Sequence, residues 1–357
     1  MIRASCLTPP GRSALATVAL VGSGSWQVAR QFFHRRNKKP LPDSPRPGQS
    51  WLGAIGIEPV DEGILVFHQE DRVEFHLHGS PEAIRLLLEQ LQQQGVSICT
   101  WDEFLEQTSE SRISSLAKKA LLRAPTTRTA SILLDQVNGA YEKEWETIQF
   151  AMRDHRTEEA AIRLKELARW SRLGSHLVTP FLVVIAGPPN VGKSSLVNSL
   201  AGYQRSIVSP VAGTTRDVVT TRFALDGWPI ELIDTAGLRL GGDLLENQGM
   251  ERARDVISRA DLVLWLIDGS GKLILPGAEN NVPYYPVINK ADLPAAWIHD
   301  PDILKVSTIT GHGIGGLCSR IVDWLIPEIP PPGTAVPFTP ELAEEVEKAL
   351  QKVEIKT

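Results

Sequence analysis

Between Phe181 and Ala186 six apolar residues follow one another without a polar interruption. Such a run suits a short strand buried on both faces of a parallel sheet. Gly187 ends it, and Leu196, Leu200 and the residues between them read as a helix. Other stretches alternate instead. Val73, Phe75 and Leu77 interleave with Glu74, His76 and His78, which predicts a half-buried strand carrying both histidines and Glu74 on one face. Gly63 to His68 pairs with Arg72 to His78 as a hairpin. Ala14 to Val21 reads as a buried strand, Trp26 to Phe33 as a helix, Pro81 to Gln94 as an amphipathic helix ended by Gly95, and Val96 to Thr100 as a strand. Beyond residue 106 the period becomes helical, through Leu116, Ala120 and Leu121, then Ile132, Leu133 and Val137, then Ile162, Leu164, Leu167 and Trp170. Pro125 separates two of these helices, and Thr126 or Thr127 can cap the second. A last helix opens at Thr339-Pro340, a cap followed by a proline at the first helical position, with Leu342, Val346 and Leu350 along one face.

These patterns divide the chain into an N-terminal α/β domain (1–105), a helical domain (106–178 plus 336–357), and an α/β domain between them (179–330) with a doubly wound, mostly parallel sheet. Pro330-Pro-Pro-Gly333 forms a stiff linker. A net charge of −5, from 37 basic and 42 acidic residues, excludes a protein that coats nucleic acid by bulk charge but leaves local basic patches open. Cys6, Cys99 and Cys318 have neither metal-ligand spacing nor an even-numbered framework, which points to a reducing, cytoplasmic setting. No apolar run approaches the roughly 18 residues that span a bilayer. Ala14 to Val21 lacks a following small-residue cleavage site and reads as a strand rather than a signal peptide.

The chemistry concentrates after Phe181. Strand, Gly187-Pro-Pro-Asn-Val-Gly-Lys-Ser194, helix is the phosphate-binding loop in its required context, with Asn190, Val191, Gly192 and Ser195 part of the same cradle. Its backbone N–H groups and the helix N-terminus face phosphate oxygens; Lys193 would bridge the outer phosphates and Ser194 would ligate Mg²⁺. Leu232-Ile-Asp-Thr-Ala-Gly237 ends another apolar strand, placing Asp234 near Mg²⁺ and Thr235, Ala236 and Gly237 toward the γ-phosphate. Asn289-Lys290-Ala-Asp292 ends a third strand. A carboxylate there accepts both the ring N–H and the exocyclic amine of guanine, a donor pair adenine lacks. Val306-Ser307-Thr308 is the base-backing loop. Together these specify GTP. Gly237 is followed by Leu238, so the water-orienting glutamine of Ras-type enzymes is missing, and no arginine finger is evident.

The order Gly187-Pro-Pro-Asn-Val-Gly-Lys-Ser-Ser195, Gly213-Thr-Thr-Arg-Asp217, Asp234-Thr-Ala-Gly-Leu-Arg239 and Asn289-Lys-Ala-Asp292 resembles the MnmE/TrmE tRNA modification GTPases. Leu7-Thr-Pro-Pro-Gly-Arg12, Val73-Glu-Phe-His-Leu-His-Gly-Ser-Pro81 and Ala130 to Gly139 resemble that family's N-terminal and helical motifs. The resemblance implies a potassium ion in place of the arginine finger, held by Asn190, Thr214 and the carbonyls of Ser209 and Val211. It makes Thr215 the second Mg²⁺ ligand. It assigns water orientation to Glu246, twelve positions after Asp234. It implies GTP hydrolysis linked to wobble-uridine modification of tRNA, an MnmG-like flavoprotein partner, and a homodimer through the N-terminal and G domains. The four basic residues of His34-Arg-Arg-Asn-Lys-Lys-Pro40 could touch tRNA phosphates, with a solvated loop as the plainer reading.

Departures from the family are specific. Of its folate contacts Glu74 is kept, but the arginine falls at Ala19 and the lysine at about Ile113, while Asp102-Glu-Phe-Leu105 stands for Gly-Glu-Phe-Thr. Losing both cations removes most attraction for a polyanionic folate, so folate binding is not expected. The family's closing Cys-x-Gly-Lys has no equivalent in Val353-Glu-Ile-Lys-Thr357. A second reading therefore stands beside the first: a nucleotide-switched interaction or assembly module that no longer modifies tRNA. Glu74, His76 and His78 also leave a metal site conceivable, against the simpler reading of a polar sheet face.

Overall fold

The computed structural model describes residues 1–203, 220–234, 255–276 and 284–354, and its contacts fall into two units, Met1–Ser115 and Leu116–Thr357. In the first unit β1 (Arg3–Cys6), β2 (Ser13–Val21), β3 (Phe33–Arg35), β4 (Ser50–Ile55), β5 (Asp61–Gln69), β6 (Arg72–Gly79) and β7 (Ser97–Ile98) form one sheet in the order β3-β4-β5-β6-β2-β1-β7. Every neighbouring pair is antiparallel except β1 with β7. The alternation works as expected: Val18, Leu20, Leu65, Phe67, Phe75 and Leu77 point to a buried side, where α1 (Ser25–Gln31) and α2 (Pro81–Gln93) contribute Trp26, Leu87 and Leu91. The expected strand Val96–Thr100 shrinks to two residues, because Thr100 already caps α3 (Trp101–Thr108) through a capping box with Glu103.

α4 (Arg112–Leu122) leads into α5 (Thr127–Val137), α6 (Ala140–Arg153), α7 (Thr157–Arg169) and α8 (Ser171–Ser175). Thr126, not Thr127, is the cap of α5, its hydroxyl accepting from the Thr129 N–H at 3.2 Å. The segment after the nucleotide-type sheet returns to these helices. Gln136, buried on α5, donates to the Thr334 carbonyl at 3.0 Å and accepts from the Val336 N–H at 3.1 Å. Gly174 of α8 lies so close to this segment that an added Cβ would sit 2.0 Å from the Pro337 carbonyl oxygen. The helix Pro340–Glu354 then packs on α7 and α8. Its buried stripe is Leu342, Val346, Ala349 and Val353; Leu350, expected on that face, is only half-buried because the stripe follows the i, i+4, i+7, i+11 progression.

Between the helices lies a second sheet of β8 (Phe181–Ala186), β9 (Thr220–Leu225), β10 (Trp228–Asp234), β11 (Leu262–Asp268), β12 (Tyr284–Asn289) and β13 (Leu304–Lys305), ordered β13-β12-β11-β8-β10-β9. All pairs are parallel except β9 with β10. β8 is almost wholly buried, as its unbroken apolar run requires. Because β8 is flanked by β10 on one side and β11 on the other, the chain changes direction there. The crevice beyond the carboxyl ends of these strands is where doubly wound sheets bind ligands.

Candidate nucleotide site

The loop 187–192 links β8 to α9 (Lys193–Tyr203) and needs glycine at both its ends. Gly187 has φ +145°, and a Cβ there would meet the Leu266 carbonyl oxygen at 2.6 Å. Gly192 has φ +97°, and a Cβ would meet the Asn289 amide nitrogen at 2.4 Å. Asn190, exposed, also takes a left-handed backbone, with φ +61°. Lys193 folds back inside the loop it follows. Its ammonium donates to the carbonyls of Gly187 and Pro188 at 3.0 and 2.9 Å, and the residue is only 7% exposed. A buried ammonium at the mouth of a helix N-terminus is a fit for phosphate. Beside it the Ser194 hydroxyl donates to the buried Asp234 carboxylate at 2.5 Å, uniting the ends of α9 and β10. Hydroxyl and carboxylate oxygens are the hard donors Mg²⁺ prefers.

The far end of the site is built from β12 and the turn after it. Asn289 is 1% exposed; its amide donates to the Val191 carbonyl at 2.8 Å, tying the loop after β8 to the end of β12. Its Oδ1 is buried and finds no partner among the described residues. Lys290 turns at φ +63° and donates to Asp268 at 2.6 Å, at the end of β11. Burial pushes the Asp268 carboxyl up, but hydrogen bonds from Lys290 and Ser270 outweigh it and hold the group below its ordinary range. The exposed Asp292 accepts from the buried Ser307 hydroxyl at 2.5 Å, and Ser307 in turn accepts from the Thr310 N–H at 3.1 Å. One Asp292 oxygen is thereby oriented while the carboxylate keeps further acceptor capacity. Thr308 follows, half-buried, and Ser195 is exposed on the first turn of α9. Ser209, Val211, Thr214, Thr215, Thr235, Ala236, Gly237 and Glu246 lie outside the described residues.

Sequence patterns did not single out Asp268 or Asp261. Asp261 accepts from the Leu182 N–H at 2.7 Å and pairs with His176 at 3.0 Å, pinning the start of β8. A carboxylate two strands away in sequence carries no local signature. In the first unit Glu74 meets His68 at 3.1 Å, Arg72 at 3.2 Å and His76 at 3.5 Å, whereas His78 turns to Asp61. Among the described residues no group of three or more potential ligands is arranged to hold a metal. A cavity of about 810 Å³ includes Glu144, Glu158, Glu159, Arg163 and Glu166 in its lining and shares no residue with the phosphate loop. Its acidity does not suit a nucleotide.

Comparison with known proteins follows the same division. A family model described as the GTP-binding protein TrmE N-terminus matches residues 2–110, and one described as a 50S ribosome-binding GTPase matches residues 182–290. The tRNA modification GTPase MnmE of Thermus thermophilus is 30% identical over 363 residues, covering 89% of this chain and 81% of that protein. This chain belongs to the MnmE family. MnmE of Nitrosococcus oceani is 30% identical, over 90% of this chain and 79% of that protein; that of Aquifex aeolicus is also 30% identical, over 88% and 80%. The second sheet, with its phosphate loop at β8, is accordingly a P-loop GTPase domain, and the chain is a GTP-hydrolysing enzyme.

Proposed function

We propose that GTP hydrolysis by this chain is linked to modification of the wobble uridine of tRNA, requires Mg²⁺ and is stimulated by K⁺. The observation that carries the nucleotide half of this reading is the interlock of Asn289 with Val191 at 2.8 Å, which couples base recognition to the phosphate loop. The tRNA half is supported by relatives matched over about nine-tenths of the chain, each a tRNA modification GTPase.

In this reading Asp292 accepts the two guanine N–H donors, backed by Ser307 and Thr308, while Lys290 and Asn289 shape the pocket. Val191, Gly192, Ser195, Thr235, Ala236 and Gly237 line the phosphates, and Lys193 spans the outer ones. Ser194, Thr215 and Asp234 are the Mg²⁺ site. Asn190, Thr214 and the carbonyls of Ser209 and Val211 hold K⁺. A monovalent cation supplies positive charge where Ras-type enzymes receive an arginine, and Glu246 orients the attacking water. An MnmG-like flavoprotein partner, pairing of two copies through the N-terminal and G domains, and a cytoplasmic location belong to the same proposal. No described helix is long and apolar enough to cross a membrane.

The first unit weighs against folate: Ala19, fully buried where the family's arginine falls, pairs directly with Glu74 across β2 and β6, and the Glu74 carboxylate is already engaged by His68 and Arg72. That observation favours a second reading, a nucleotide-switched assembly module that has lost the modification role. Mass spectrometry of tRNA nucleosides from a deletion strain separates the two: unchanged wobble uridines reject the first. Hydrolysis measured in KCl and in NaCl tests the cation site, and equal rates would remove K⁺ from the mechanism. Glu246→Ala should abolish turnover and spare GTP binding.

A further inference from the structure

From Arg30 to Arg46 the chain carries Arg30, Arg35, Arg36, Lys38, Lys39 and Arg46 against one acid, Asp43, although the whole protein has a net charge of −5. We propose that this segment, with Trp51, is a docking surface for RNA. The proposal rests on the tRNA reading above and adds to it a place of contact.

Order and position support it. Pro40, Pro42, Pro45 and Pro47 restrict the backbone, and Leu41 is buried in the core of the first unit, anchoring the middle of the loop. The Lys38 N–H donates to the Arg35 carbonyl at 2.9 Å, the Arg35 guanidinium to the Pro40 carbonyl at 3.1 Å, and the Arg46 N–H to the Gln49 side chain at 3.0 Å. The loop is therefore held open while Arg36, Lys38, Lys39 and Arg46 remain exposed. Cations displayed on an ordered scaffold lose less entropy on binding than cations on a loose tail. Two local acids only partly offset them: Asp43 pairs with Arg30 at 2.8 Å, and Glu62 lies 3.9 Å from Arg36.

Shape decides the class of polyanion. Arg30, Arg35, Arg46, Gln49 and Trp51, with the single acid Asp43, line a cavity of about 560 Å³ between the loop and β4. Trp51 is partly buried, its ring 5.5 Å from that of Trp26, and so is recessed rather than projecting as insertion into a lipid surface would require. An aromatic plane beside guanidinium groups suits an unstacked base, with phosphates running along the exposed cations. Single-stranded or loop RNA presents both.

The test is fluorescence anisotropy of a labelled tRNA transcript with the full chain over a range of KCl concentrations. Reversing four charges (R35E, R36E, K38E and K39E together) should weaken binding more than tenfold and lower the salt slope by about 3, at roughly 0.7 for each single-strand phosphate that the loop no longer neutralises. The milder K38Q/K39Q pair should give an intermediate loss, which guards against misfolding of the reversed protein. GTPase activity should be unchanged in both. Wild-type affinity and salt slope retained in the reversed variant would overturn the docking surface. So would failure of the wild-type chain to bind RNA while binding phosphatidylserine vesicles through this loop. Neither result touches the function proposed above, which stands or falls on wobble-uridine content in the deletion strain.

Discussion

Replacing Gly192 by alanine brings two separate penalties onto one atom. The backbone is held at φ +97°, where a side chain is strained by about 1–3 kcal/mol. The new Cβ would lie 2.4 Å from the Asn289 amide nitrogen, so the amide must withdraw by roughly 1 Å to reach ordinary contact. That movement breaks its 2.8 Å bond to Val191 and leaves a buried carbonyl without this donor, worth about 1–3 kcal/mol. The sum is at least about 2 kcal/mol, a loss of roughly 30-fold in the population of the correctly aligned loop. Urea unfolding gives the stability change, and titration with a fluorescent GTP analogue gives the loss of affinity. The informative comparison is a double-mutant cycle with Asn289→Ala. Once the amide is gone the steric penalty disappears, so the double variant should be less damaged than the two single changes predict, by about 1–3 kcal/mol. Additive costs within about 0.5 kcal/mol would show that Gly192 and Asn289 do not press on one another, and the interlock would be refuted.

The acid limb of stability offers another test. Burial raises the Asp261 carboxyl, but His176 and the Leu182 N–H outweigh it and hold the group below its ordinary value of 3.8. A depressed carboxylate stabilises the fold above the unfolded value and loses that contribution as pH falls through the folded one. Urea midpoints should therefore drop below about pH 4, and Asp261→Asn should flatten that drop while lowering stability at pH 7. Gly174→Val places side-chain atoms where even a Cβ meets the Pro337 carbonyl at 2.0 Å, and should lower the melting temperature by several degrees, about 2 kcal/mol or more. Leu342→Ala removes a fully buried side chain between the helix Pro340–Glu354 and its neighbours, and should cost about 2–5 kcal/mol in urea unfolding.

What the sequence revealed depended on whether the physics was local. The phosphate loop was legible because glycine, lysine and serine act within a few residues of each other, and β8 because a doubly buried strand is apolar throughout. β6 was legible from its alternation. β1, β3 and β4 were not: Arg3–Cys6 and Phe33–Arg35 are too short to show a period, and Leu52 on β4 is half exposed. The β5–β6 hairpin was legible, but the antiparallel pairing of β2 with β6 was not, since those strands lie far apart in sequence. At the nucleotide site, Asn289 and Ser194 announced themselves, while Asp268, which orients Lys290, did not. An aspartate at the end of an apolar strand is common, and only the fold shows which lysine it faces. His78 shares the parity of Glu74, yet bends to Asp61 because a nearer carboxylate lay across the sheet.

The contact of Gly174 with the carbonyl of Pro337 means that the GTPase domain departs from the helices and rejoins them at almost the same point. In connectivity it is a long closed loop hung on a scaffold that is continuous in space though interrupted in sequence. Closing a loop of about 160 residues costs only about 3 kcal/mol more than closing one of about 4. In closure entropy alone, then, the scaffold can carry this insertion or a much shorter bridge at nearly the same cost. A second contact joins insertion and scaffold away from that point, where Arg128 of α5 pairs with Asp226 at 3.3 Å and lies over the Trp228 ring at 5.5 Å, so the insertion is held to the helices at two separate places.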